Sequence, residues 1–169
     1  MKKLVIYTFL LLGFAASAQK NPAELGEFIY KALRSQNLKA VTTYLGTPDE
    51  VLLFSKKLGR SYTPQETEDF KKDQAQIDSA FLRKCNFVLE DGQQRGIVWQ
   101  KTEFVEVKLH IDTYQLSSLD ESKTIDFGYI EVIFSHNGKQ YVLTMETAFD
   151  AIGRWRLTGD KITLQSYTE

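Results

Sequence analysis

Asp126 is the side chain in this sequence best placed to do chemistry, and Phe134, Tyr141, Met145 and Trp155 are the ones that could surround it. Spacing puts Phe134, Tyr141 and Met145 on the inner face of a sheet built from the late strands, and Trp155 joins them if the connecting loop is Asp150–Arg154. A carboxylate held among aromatic groups loses hydration, and desolvation raises its pKa toward that of a working general base. The same lining can instead hold a small apolar or amphipathic ligand with no reaction at all. It can also simply fill a core, which is the ordinary use of Phe134, Tyr141, Met145 and Phe149. Gly128 decides the direction of Asp126. A plain bend there points Asp126 inward; a bulge turns it outward and brings Phe127 or Ile125 into its place.

The other reactive side chains are poorly arranged for catalysis. Glu106, His110 and Asp112 alternate on one strand face, the spacing of a carboxylate–histidine metal set, but they offer a single His on a solvated face. We therefore expect no metal and no cofactor. His136 precedes a turn and reads as a solvated flank. Ser117-Ser118 lacks the G-x-S-x-G elbow that exposes a nucleophilic serine. Cys85 lies near the apolar stripe of a long helix and reads as a buried structural thiol. Lys56, Lys57 and Arg60 gather at a helix end, where cations suit the C-terminal dipole. The residues thus favour a non-enzymatic domain that binds a small apolar or amphipathic ligand or a protein partner, with a cofactor-independent isomerase or hydrolase using Asp126 as base as the alternative.

Composition limits what must position these groups. Of 169 residues, 43% are hydrophobic and 25% charged, which fits one globular domain. The single Cys excludes an intrachain disulfide framework and any Cys-based metal site. A formal charge of −1 argues against nucleic acid, whose phosphates call for a basic excess. Residues 1–18 read as a signal peptide: basic Lys2 and Lys3, an apolar run Leu4–Phe14, and the cleavage site Ala16-Ser17-Ala18. Cleavage after Ala18 leaves a single domain, 19–169, in the periplasm or outside the cell. Losing Lys2 and Lys3 from the 21 basic residues leaves 19 against 22 acids, so the mature chain is mildly acidic. No second apolar stretch approaches the roughly 20 residues needed to span a bilayer.

The mature chain divides by period. All three prolines sit in one pattern, Asn21-Pro22-Ala23-Glu24, Thr47-Pro48-Asp49-Glu50 and Thr63-Pro64-Gln65-Glu66, which predicts three capped helix starts. Leu25, Phe28, Ile29, Ala32 and Leu33 form a half-buried helical stripe. A short helix carrying Leu38, Val41 and Leu45 follows, then one from Pro48 to Leu58. The longest runs from Pro64 to about Val88, with Phe70, Ile77, Phe81 and Val88 on one face and a sparse start that should project. After Asp91-Gly92 the period becomes two. Val105, Val107, Leu109 and Ile111 alternate with polar residues through Tyr114, as in a half-buried strand. A second strand ends at His136, Asn137-Gly138 makes a type I′ turn, and a third runs from Lys139 to Phe149. That turn pairs Phe134 with Tyr141, Val132 with Leu143 and Ile130 with Met145 on one face. Continued regularly, it sets Gly128 opposite Thr147 and Asp126 opposite Phe149. Two short strands, Trp155–Leu157 and Ile162–Leu164, close the chain. The expected fold is α+β: N-terminal helices on one face of a curved antiparallel meander.

The order of helices, then "GIVWQKTEFVEVKLHID", "YIEVIFSHNGKQYVLTM" and "GRWRL", resembles the nuclear transport factor 2-like superfamily, in particular its small secreted bacterial members. The resemblance covers most of residues 21–165. It implies a cone closed by helices at one side, whose mouth can hold a small molecule. Functions in that superfamily run from isomerase to dimerisation module. Thr47–Gly59 departs from it, reading as helix where members often place short strands, and a cystatin-like relative stays open. On the outer sheet face Phe104, Ile133 and Val142 interrupt the polar pattern and suggest a homodimer formed back to back.

Overall fold

The computed structural model describes residues 21–115, 124–150 and 153–167. The expected signal peptide and the Ser117-Ser118 loop lie outside these residues. Three α-helices come first: α1 (Pro22–Arg34), α2 (Pro48–Lys57) and α3 (Pro64–Gln94), with a 3-10 helix, Leu38–Tyr44, between α1 and α2. A short 3-10 turn, Trp99–Lys101, leads into β1 (Glu103–Gln115), β2 (Thr124–His136), β3 (Lys139–Asp150) and β4 (Trp155–Ser166). The strands form one antiparallel sheet in the order β1-β2-β3-β4, curved and unclosed. The fold is α+β.

Each proline opens a helix. Thr47 and Thr63 make complete capping boxes, in which the threonine oxygen accepts a backbone N–H while Glu50 or Glu66 accepts from the cap's own N–H. At α1, Asn21 Oδ1 accepts from the Ala23 N–H at 2.9 Å. The α1 stripe is buried as spaced, with Leu25, Ile29 and Leu33 sealed from solvent. It meets Phe81, Cys85 and Val88 of α3 and the inner sheet residues Ile130, Val132, Leu143 and Met145 in one core.

The long helix does not stop near Val88. It continues through Gly92 to Gln94, and Gly92 leaves room for the Trp99 indole: a Cβ there would stand 2.8 Å from the ring. Trp99 is buried, donates from Nε1 to the Leu89 carbonyl at 3.1 Å, and packs on Phe134. Beside it, the Thr102 hydroxyl gives its one hydrogen to the Trp99 carbonyl, so the Tyr30 hydroxyl must be the donor in the 2.8 Å Tyr30–Thr102 bond.

The Asn137-Gly138 turn has both residues at positive φ, +50° and +73°, and the expected pairs from His136–Lys139 to Ile130–Met145 are present. Beyond Ile130 the register breaks. A bulge in β3 sets Gly128 opposite Ala148 and Phe127 opposite Phe149. Phe149 therefore leaves the face of Met145 and joins that of Phe127 and Arg156, where Phe54 of α2 meets it at 4.6 Å between rings. Phe54, Ile125 and Phe149, with Val51 and Phe127, make a second, smaller core under α2. Gly128 is required by close approach, since a Cβ there would run into the His110 carbonyl oxygen.

Three further expectations are corrected. The chain closes with one strand, β4, whose extra residues around Gly159 leave the β3 pairing, with Gly159 against Leu45 and Phe81, instead of ending the strand. A bulge at Val105 moves Phe104 to the inner side, opposite Phe134 and near Tyr30, while Ile133 and Val142 are already covered within the chain. His136 is buried rather than solvated: its Nε2 accepts from the Val98 N–H at 3.3 Å and lies 3.1 Å from the Asn137 amide nitrogen. The edge strand β1 keeps Val107 and Ile111 half-buried but leaves Val105 and Leu109 about two-fifths exposed, at 43% and 41%.

Candidate functional site

Phe134 and Met145 are sealed in the main core, and Tyr141 and Trp155 are buried in it as well. They are filled by neighbours: Phe134 contacts Tyr30, Trp99 and Tyr141 through ring pairs 5.4–5.6 Å apart. Asp126 is not with them. It lies eight positions from Phe134 along β2, roughly 25 Å for an extended strand. The extra residue lies on β3, while β2 pairs with β1 unbroken from Ile133 to Thr124, so the bulge moves Phe149 and leaves the side of Asp126 unchanged. Ile125 is buried, and Asp126 and Phe127 are half-buried. Asp126 Oδ1 accepts from the Thr113 hydroxyl at 2.6 Å.

The other reactive groups are likewise engaged. His110 stacks on Tyr129 with ring centroids 4.2 Å apart and bonds Glu131 at 3.0 Å, across the strand pair rather than along it. Among the described residues, no three His, Cys, Asp or Glu side chains gather as a metal site would need. Cys85 is sealed inside the core, and burial pushes its thiol up to about 12, which keeps it protonated and unreactive.

Among the described residues, a groove and a recess lie elsewhere. A half-open groove of about 640 Å³ runs between α2, the segment after it, and α3, with Phe127 on its sheet side. That volume is within the range of small-molecule sites. Val51, Phe54, Leu58, Phe70 and Ile77 supply apolar walls. Phe70 and Ile77 are the first members of the α3 stripe, and they remain half-buried because the main core takes only the later members, Phe81 and Val88. The two charged residues on the groove are both cations, Arg60 and Lys84. Lys84 Nζ donates to the Gly159 carbonyl at 3.0 Å, which fixes it at the wall where β4 bulges. A smaller recess of about 310 Å³ adjoins it, sharing Ala80 and Lys84 and bordered by Arg83, Ile162 and the 69% exposed Phe87.

One side of this groove is held by a buried ion pair. Arg156 Nε donates to both carboxylate oxygens of Glu50, at 3.1 and 3.0 Å, and the side chains are only 7% and 12% exposed. Burial alone would raise the Glu50 pKa, but the hydrogen bonds from Arg156 and from the Thr47 N–H hold it below the usual carboxylate value. Glu50 thus serves twice, closing the α2 capping box and tying α2 to β4. That bond sets α2 against Phe149 and so places Val51 and Phe54 on the groove.

The sequence reading missed the groove because its walls come from elements far apart in the chain. One signal was present: the sparse early stripe of α3 includes Phe70 and Ile77, two apolar residues on a stretch expected to project without a partner. No protein-family model matches the chain, and no curated protein or solved structure does so either.

Proposed function

We propose that this chain is an exported, non-enzymatic domain that holds a small amphipathic molecule in the groove between α2 and α3. Its build would then parallel the small secreted members of the nuclear transport factor 2-like superfamily, with the ligand beside the helical layer. The observation that carries the reading is the groove itself: apolar walls about 640 Å³ in extent beside a main core that is already filled. A cavity left open between two packed cores retains apolar surface that a ligand can cover. The alternative, an isomerase or hydrolase with Asp126 as base, gains nothing from this groove, since Asp126 is not on its lining.

Native mass spectrometry of the mature chain, purified from its own compartment, tests the reading. The expected result is extra mass that leaves on denaturation, and its absence from the Phe70→Glu variant, which puts a charge on the groove wall. A bare wild-type mass, with no saturable binding of any amphiphile offered in solution, would overturn it.

A further inference from the structure

We infer that the ligand is anionic, a free long-chain carboxylate whose headgroup meets Arg60 and whose chain lies along Val51, Phe54, Phe70 and Ile77. This rests on reading the groove as a ligand site and names the class of ligand. The mature chain carries more acids than bases, 22 against the 19 left once Lys2 and Lys3 are gone, yet the charged residues bordering the groove and its adjoining recess are three cations. Among the described residues, no carboxylate lines either space. A helix dipole accounts for cations at the end of α2, but it does not distinguish among them. The structure does: Arg60 borders the groove, whereas Lys56 and Lys57 do not.

The chemistry of the walls narrows the anion. A compact polar anion needs hydrogen-bond donors on several sides, and this lining is mostly apolar. An alkyl chain suits those walls, and a planar carboxylate suits the fork of an Arg guanidinium. The groove lies between two helices and is bounded by the second core, which fits one chain better than the paired chains of a membrane phospholipid.

Equilibrium binding of dodecanoate, dodecanol and dodecyltrimethylammonium to the mature chain separates the possibilities, since the three share a tail and differ in headgroup charge. Dodecanoate should bind about tenfold tighter than dodecanol, as charge-assisted hydrogen bonds are roughly twice as strong as neutral ones. Arg60 is exposed, so Arg60→Gln should fold normally and bring dodecanoate binding down to the level of dodecanol. Arg60→Glu should shift the preference toward the ammonium. Equal binding of dodecanoate and dodecanol would overturn the anionic assignment while leaving the groove reading intact. No binding of any of the three would overturn the groove reading as well. Binding to vesicles of anionic phospholipid without binding of monomeric dodecanoate would show that the headgroup belongs to a membrane and overturn the assignment to a free carboxylate.

Discussion

Arg156 of β4 and Glu50 in the first turn of α2 stand 106 positions apart in the chain and 3.0 Å apart in the fold. Both side chains are nearly withdrawn from water, and Glu50 also accepts the Thr47 N–H at 2.9 Å. A carboxylate so placed couples a local event, helix capping, to a tertiary one, the docking of α2.

Breaking that pair should be expensive and pH-dependent. Glu50→Gln leaves the Arg156 guanidinium buried without its counter-charge, so urea unfolding at pH 7 should show a loss of about 3–5 kcal/mol. The folded-state pKa of Glu50 lies below its ordinary value of 4.5. Its contribution is therefore complete above that value and fades as pH falls below it, through the lower folded pKa. The stability gap between wild type and Glu50→Gln should narrow in that acid range. A gap that stays constant from neutral pH into the acid range would contradict the pairing.

Gly128 and Asp126 should respond very differently to substitution. Gly128→Ala sets a methyl group against the His110 carbonyl oxygen, a backbone atom that cannot swing aside. We expect a loss of at least about 3 kcal/mol in chemical denaturation, with β1 detaching from β2. Asp126→Asn alters one edge hydrogen bond, to Thr113, and should stay within about 0.5 kcal/mol. A tolerant Gly128 would mean that the two backbones do not approach as described.

The two complete capping boxes should differ in importance. Thr47→Ala should cost about 1 kcal/mol of global stability, because α2 is anchored at that turn by the Arg156 bond. Thr63→Ala should cost less, since residues 64–66 are exposed and α3 reaches the main core only from Phe81 onward. Amide exchange should show the start of α3 opening locally while Cys85–Leu89 exchanges only with global unfolding. Equal protection along the whole helix would refute this division.

Cys85 should be silent in the native protein. With its thiol pushed up to about 12 by burial, an aromatic disulfide reagent at pH 8 should leave it intact in the folded chain and react with one equivalent in denaturant. Prompt modification under native conditions would mean that the core opens at α3.

Much of the local structure was legible in the sequence. Three Asn or Thr-Pro starts marked the helices, the α1 stripe marked its buried face, and Asn137-Gly138 set the hairpin register as far as Ile130. These follow from interactions within a few residues, or across a two-residue turn, where residue type and spacing nearly fix the geometry. The errors share a physical origin as well. Gly92 looked like a break and is instead a seat for Trp99; His136 looked like a turn flank and is instead a buried acceptor for Val98. In each case a residue with weak local preference was settled by a neighbour brought to it by the fold.

The sequence by itself determined the helix starts, the switch from a helical to a strand period, the meander and the identity of most core residues. Tertiary structure alone decided where Phe149 packs and that a groove opens between α2 and α3. The reason lies in the bulge opposite Gly128–Ile130: one extra residue on β3 exchanges the faces of the β3 positions beyond it, and no periodicity reveals where that residue falls. Once Phe149 faces α2, the Arg156–Glu50 pair can form, and the groove follows from where that pair holds the helix.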